Sequence, residues 1–162
     1  MNPIIELQEL VNLFLEPDGQ PLYLSAEHVA KEATPEPYRQ LLVHELHMTI
    51  TMEAFHNCAV EVTVIDRRFE NELYLRRSLL RTSGTDKVVQ LVYVRFNFES
   101  VTESVKQEIL AGIVPLGRVL IQHNVLRHVD LGAILRFTAG PGMVKTLQMK
   151  EGQVTYGRMA TI

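Results

Sequence analysis

The sequence has one cysteine, Cys58, and no long apolar run among its 162 residues. A single cysteine cannot form an intramolecular disulfide, so nothing in the sequence calls for an oxidising compartment. No apolar run approaches the roughly 18 to 20 residues that a membrane-spanning helix needs. Glu6 and Glu9 interrupt the N-terminal stretch, where a secretory signal would be basic and then apolar. We therefore expect a cytoplasmic protein without a membrane partner.

The sequence also has little net charge. Its 16 Lys and Arg residues against 19 Asp and Glu residues give a net charge of -3 and a pI near 6.1. No broad positive field would attract a phosphate backbone, so a nucleic-acid partner is not expected. Gly140 and Gly142 are too few to form a phosphate-binding glycine loop, and no P-loop lysine follows them in the required context.

The composition that remains is typical of a globular protein. Hydrophobic residues make up 46% and charged residues 22% of the chain. This supplies enough apolar side chain to offset the entropy of ordering the backbone. Because domains typically contain about 100 to 150 residues, we predict a single domain spanning residues 1–162.

Apolar residues spaced three and four apart predict several helices. These helices cover residues 4–15, 37–47, 102–110 and 115–123. The first is expected to end at the proline- and glycine-containing segment 17–21. The segment 48–56 is ambiguous between helix and irregular structure.

A period of two predicts strands over the rest of the chain. Three strands are expected between Cys58 and Phe98, one at 126–138, and a last one at 153–162, with a break at 139–142. The connections between the first three are short and turn-like, which favours an antiparallel meander with one face buried. Helices followed by a sheet, a helical interruption and more sheet indicate an α+β fold.

Six arginines lie on the predicted meander, namely Arg67, Arg68, Arg76, Arg77, Arg81 and Arg95. Period two sends Arg76 and Arg77 to opposite faces, so one of them is expected to face the covered side. A covered guanidinium must find an anion, because leaving it desolvated and unpaired is costly. Either a protein carboxylate or a ligand carboxylate can supply that anion. On the residues alone, an arginine face exposed to solvent is the favoured interpretation.

The histidines His44, His47 and His56, with Cys58 nearby, raise a metal hypothesis. A helical pair three residues apart places both imidazoles on one side of a helix. A metal site needs a third and a fourth ligand, however, and no acidic or cysteine partner recurs at a diagnostic spacing. We predict no metal site and interpret Cys58 as a small buried hydrophobic residue.

Several segments, in order and at compatible spacing, carry a family resemblance when they are taken together. They are Leu42–Thr49 with Met52–His56, Tyr74–Leu80, Val114–Leu120 including Pro-Leu-Gly-Arg, and Tyr156–Arg158. This combination resembles the chorismate pyruvate-lyase family, and most closely its archaeal and cyanobacterial-type branch.

The resemblance implies a lyase that converts chorismate to 4-hydroxybenzoate and pyruvate without a cofactor, a step of ubiquinone biosynthesis. It also implies an internal ligand cavity enclosed by an antiparallel sheet, helices and two helical flaps. By motif, Met48 would line the cavity, Arg76 would pair with the ligand carboxylate, and Leu116 would offer backbone hydrogen bonds at a flap.

The chain departs from the family pattern after Gly157-Arg158. In the family a further strand follows and bears a glutamate that contacts the ligand, whereas this sequence ends at Ile162. Three alternatives follow: the natural chain continues, a second copy supplies the strand through the exposed sheet edge in a homo-oligomer, or the protein binds an aromatic carboxylate without lyase chemistry. Glu45, Glu53 and Glu151 are present, but the sequence assigns no catalytic acid or base.

Overall fold

A computed structural model of the chain describes residues 2–14, 18–125 and 128–162. Within those residues, two antiparallel three-stranded sheets and six α-helices confirm the predicted α+β class. The helices are α1 Pro3–Asn12, α2 Tyr38–Leu42, α3 Met48–His56, α4 Glu103–Ala111, α5 Leu116–Gln122 and α6 Pro141–Leu147. The strands are β1 Tyr23–Val29, β2 Val60–Glu70, β3 Leu73–Thr82, β4 Val88–Asn97, β5 Asp130–Ala139 and β6 Val154–Thr161. None of these described helices has the length and apolar character needed to cross a membrane.

The described chain separates into two compact units. The first unit comprises the described residues up to Leu46 together with His128–Ile162, and the second unit begins at His47 and includes the described residues up to position 125. The first unit holds the sheet β1-β5-β6, and the second holds β2-β3-β4. The described strands thus pair in two sheets, where the resemblance implies one. The single-domain organisation stays a prediction.

Strand β1, which the sequence pattern does not predict, forms one edge of the first sheet. It pairs antiparallel with β5 from Tyr23 opposite Ala139 to Val29 opposite Ile134. Its partly buried residues are separated by pairs of exposed ones, so the period of two that marks a half-buried strand is missing. The segment is recognised as a strand only because it pairs with β5.

Helix α6 begins within the segment predicted as a break between two strands. Gly140 precedes it and Pro141 occupies its first turn, where the missing proline N–H has no intrahelical partner to lose. The flanking strands are confirmed as β5 and β6, although residues 126–127 of the first prediction lie outside the described residues. The break is therefore a helix start rather than a loop.

The two N-terminal helix predictions differ from the structure mainly in length. Helix α1 matches the first and ends at Asn12, while residue 15 and the start of the predicted stop segment lie outside the described residues. The predicted helix 37–47 is wrong beyond Leu42. His44 there hydrogen-bonds the carbonyl of Leu41 and the N–H of Leu46. These bonds take backbone groups that a longer helix would use.

The second unit contains the predicted meander, with β3 in the centre. Strand β3 pairs antiparallel with β2 and with β4. The prediction that only one face is buried is wrong for β3, because residues of both parities, Tyr74 to Leu80 without interruption, are buried. A central strand covered on both faces loses the exposed-buried alternation of a half-buried one.

Helices α4 and α5 cover one face of this meander. Their apolar side chains form a core with two aromatic residues, comprising Tyr74, Phe98, Val105, Ile109, Leu116, Val119 and Leu120. Thr102 caps the start of α4, where its hydroxyl accepts from the N–H of Val105, and Gly112, in the left-handed region, caps the end. The ambiguous segment 48–56 is the helix α3, which stops at Asn57, also left-handed.

The Gly140→Ala substitution is expected to destabilise the first unit. A Cβ at Gly140 would lie 2.9 to 3.1 Å from three backbone atoms of Tyr23, which pairing with β5 holds in place. Overpacking of this kind costs about 1 to 3 kcal/mol, to be measured by urea unfolding. A matched control is Gly157→Ala, whose Cβ would meet side-chain atoms of Phe137 rather than backbone atoms. Equal losses in the two variants would contradict this interpretation.

Candidate functional site

Arg76, at the centre of β3, is more deeply buried than any other charged side chain described, with 2% of its surface exposed. It lies between Arg67 on β2 and Val94 on β4. One Nη approaches the carbonyl of Ile109, in the last turn of α4, at 3.5 Å. Among residues 2–14, 18–125 and 128–162, its Nε has no hydrogen-bond partner and no carboxylate forms an ion pair with it. The second unit therefore contains a buried guanidinium without a counter-ion among the described residues.

The surroundings of Arg76 disfavour its charge. Burial lowers its pKa below the ordinary value, and the positive charge of Arg67 adds to that shift. The hydroxyl of Tyr74, two residues earlier on the same face, acts in the other direction and raises the pKa of Arg76. This hydroxyl makes no hydrogen bond of normal geometry within the described chain. Arginine does not lose its proton in proteins. The site is thus a positive charge held in a covered position.

Arg67 stands directly opposite Arg76 in the β2–β3 pair. Its Nη1 donates to the carbonyl of Leu110 at 2.7 Å, one residue beyond the carbonyl that Arg76 approaches. Both guanidiniums therefore meet the C-terminal end of α4, where unpaired carbonyls carry a partial negative charge. The sequence singles out neither this pairing nor Arg67, because six arginines share the meander and only the register distinguishes them.

A cleft lies beside Arg67, between β2 and the end of α4. Its volume is about 460 Å³, and its lining residues are Val64, Ile65, Asp66, Arg67, Ala111 and Gly112. Small-molecule sites commonly occupy about 300 to 1,000 Å³. The cleft is therefore large enough for a small ligand next to an arginine.

Met48 and Leu116, the other predicted contact residues, begin two neighbouring helices of the second unit. Met48 is half-buried in the first turn of α3, and Leu116 is buried in the core at the start of α5. The two helix starts approach closely, since a Cβ at Gly117 would lie 3.2 Å from the Thr49 hydroxyl. The three predicted residues thus belong to one unit, and Leu116 shares its apolar core with Tyr74, on the Arg76 face of β3.

Glu53 links α3 to α5 and to the start of β2. One carboxylate oxygen forms an ion pair with Arg118, and the other accepts from the N–H of Val60 at 3.1 Å. Both carboxylate oxygens therefore have partners. Glu53 positions helices in this structure and is not a free proton acceptor.

In the first unit, Arg158 fastens the segment after α2 to β6. Its guanidinium donates to the carbonyls of His44 and Leu46, each at 2.8 Å. His44 is the neutral Nε2–H tautomer, because its Nδ1 accepts from the N–H of Leu46 at 3.1 Å and its Nε2 donates to Leu41. Burial, with the charge of Arg158, lowers the pKa of His44. The Gly-Arg motif thus has a structural partner in the segment 42–46.

The histidines of the metal hypothesis, His44, His47 and His56, do not form a cluster of metal ligands in the described structure. Within residues 2–14, 18–125 and 128–162, no three His, Cys, Asp or Glu side chains lie close enough together to hold a metal ion. His44 is engaged in hydrogen bonds at both ring nitrogens. Cys58, interpreted as buried, is half-buried.

No protein-family model matches this chain, and no curated protein matches its sequence significantly. Its function is therefore inferred from the geometry of these side chains and from the motifs that carry the resemblance.

Two variants at Glu53 are expected to separate the contribution of its ion pair to stability from that of its hydrogen bond with Val60. Glu53→Gln keeps an acceptor for the buried Val60 N–H, and it should lose less than about 1 kcal/mol because the ion pair is partly exposed. Glu53→Ala orphans that N–H and should lose about 1 to 3 kcal/mol more. Urea midpoints at constant m-value test this, and equal losses would show that the N–H contact adds nothing.

The stability of the first unit is expected to fall as the pH drops below about 6.5, the ordinary pKa of histidine. The folded pKa of His44 is lower, so the unfolded chain binds the proton more readily, and stability is lost between the unfolded and the folded pKa. His44→Gln should flatten this dependence in urea unfolding from pH 7.5 to 5. A matched control for the substitution itself is His28→Gln, at an exposed histidine of the same unit. An unchanged slope in His44→Gln would contradict the assignment.

Proposed function

We propose that this chain binds a small aromatic or enolpyruvyl carboxylate through Arg76 and eliminates pyruvate from chorismate to give 4-hydroxybenzoate. The observation that carries the proposal is the buried guanidinium of Arg76, which has no ion pair among the described residues. The proposed reaction comes from the motif resemblance, which makes the ligand a carboxylate and requires no cofactor. The proposal places the protein in the cytoplasm.

The positive charge around Arg76 exceeds the negative charge near it, which supports a ligand anion there. A buried charge without a partner costs several kcal/mol. The end of α4 offers roughly half a negative charge, and its Ile109 carbonyl lies at the limit of hydrogen-bond distance, 3.5 Å. This partial negative charge is too small to neutralise one guanidinium, and Arg67 adds a second positive charge directly opposite the first. A ligand carboxylate would compensate the charge and fit the planar fork of the guanidinium.

The proposed reaction makes modest demands on the protein. Expelling enolpyruvate is favourable because the ring becomes aromatic. The protein then needs mainly to hold the substrate in a dry site, orient the departing ether and assist proton movement. Arg76 would anchor the ring carboxylate. The helices that begin at Met48 and Leu116 would exclude water from it.

One observation favours a second candidate, a non-catalytic domain that binds aromatic carboxylates. Glu53 is occupied by Arg118 and by Val60, and no described carboxylate is paired with Arg76. A site without a proton acceptor beside the anchor would bind ligand without turnover. In either candidate, a homo-oligomer formed through the free edge of β6 stays a prediction.

Incubation with chorismate separates the two candidates. Appearance of 4-hydroxybenzoate in the ultraviolet spectrum, with stoichiometric pyruvate, is the result expected for a lyase. Binding of 4-hydroxybenzoate without turnover of chorismate would favour the second candidate. Neither turnover nor binding by folded protein would overturn both.

The Arg76→Met variant is expected to lose ligand without losing stability. Charge-assisted hydrogen bonds contribute about 1.5 to 3 kcal/mol, so the affinity for 4-hydroxybenzoate should fall by roughly 10- to 100-fold in titration calorimetry. Methionine removes a buried charge, so ligand-free protein should unfold at the same or a higher urea concentration. The matched control is Arg95→Met, an exposed arginine of the same meander. Unchanged affinity, or a large loss of stability, would assign Arg76 to the structure of α4 instead.

A further inference from the structure

Resting on the proposed function, we infer that Arg67 is a second ligand-binding arginine, which makes the site selective for molecules with two carboxylates. Arg67 and Arg76 are directly opposed on β2 and β3, and like charges in this position destabilise a sheet. Within the described chain neither has a carboxylate partner. Two guanidiniums against roughly half a negative charge at the end of α4 leave an excess that two carboxylates would match.

A β-bulge at Ile65 creates this pair of arginines. Val64 lies opposite Ser78, but the register then shifts by one, so that Asp66 lies opposite Arg77 and Arg67 opposite Arg76. Without the bulge, Asp66 would stand opposite Arg76 and could neutralise it. The bulge therefore exchanges a carboxylate for a second guanidinium on this face, and bulges commonly re-aim side chains next to functional sites.

Asp66 does not cancel the charge of Arg67. Although it contributes to the lining of the cleft, the shifted register turns its side chain to the opposite face of β2. There its carboxylate lies 3.7 Å from Arg68, which balances it. The face shared by Arg67 and Arg76 keeps its positive charge.

Arg67 is accessible to a ligand from the cleft of about 460 Å³ beside α4. Its side chain is exposed, unlike that of Arg76, and its hydrogen bond to the Leu110 carbonyl is one that solvent can also satisfy. The lining includes Arg67 but not Arg76, so a ligand in the cleft would bring one carboxylate to Arg67 while the other reaches Arg76, directly opposite on β3. In the proposed reaction the substrate has two carboxylates and each product has one, so Arg67 would favour substrate over product.

The test uses two stable probes that differ only in the second charge. These are 3-(carboxymethoxy)benzoate and its neutral amide, 3-(carbamoylmethoxy)benzoate. Wild-type protein should bind the dicarboxylate about tenfold or more tightly than the amide, as expected for one charge-assisted contact. Arg67→Gln should bring that ratio close to one while affinity for the amide stays unchanged. Arg67→Lys should retain part of the ratio, and Arg95→Gln, an exposed arginine on the other face of the meander, should retain all of it.

The outcomes separate this inference from the proposed function. Equal binding of both probes by wild-type protein, or an Arg67→Gln variant that loses affinity equally for both, would overturn the inference and leave the carboxylate site at Arg76 standing. Failure of wild-type protein to bind either probe would overturn both. Urea unfolding of Arg67→Gln serves as the control for folding, since the substitution removes the hydrogen bond from Arg67 to the Leu110 carbonyl.

Discussion

A guanidinium buried in the middle of a three-stranded sheet is the constraint around which the second unit is arranged. Arg76 is covered because its strand is central and because α4 and α5 pack over Tyr74 on the same face. Removing a charge from water costs several kcal/mol unless something compensates it. The C-terminal end of α4 supplies part of that compensation. The remainder is the physical reason to expect an anionic ligand.

The charge at this position depends on one extra residue in β2. The bulge at Ile65 decides whether the position opposite Arg76 holds a carboxylate or a second guanidinium. A sheet that needed only stability would gain from the carboxylate, because opposite charges across a strand pair attract. The structure has the like-charged arrangement, which the proposed ligand-binding role of this pair would explain.

The helices around this face are fastened by polar contacts rather than by the apolar core alone. Glu53 holds α3 to α5 through Arg118 and to the start of β2 through Val60. Gly117 allows the starts of α3 and α5 to approach closely, because a Cβ there would lie 3.2 Å from the Thr49 hydroxyl. In the first unit, Arg158 fastens the segment after α2 to β6 in a comparable way. These arginines lie in segments of the resemblance, and the structure gives them positioning roles.

The sequence by itself determined the α+β class, the meander, and the helices α1, α4 and α5, because apolar periodicity reports which face of an element is buried. It predicted that one of Arg76 and Arg77 faces a covered side, whereas both are buried. It did not determine β1, whose burial lacks a period of two, or α6, whose Gly140-Pro141 start resembles a loop. Only the tertiary structure decided that Arg67 rather than Asp66 faces Arg76. Strand register is set by pairing with a partner, and a shift of one residue reverses every side chain beyond it.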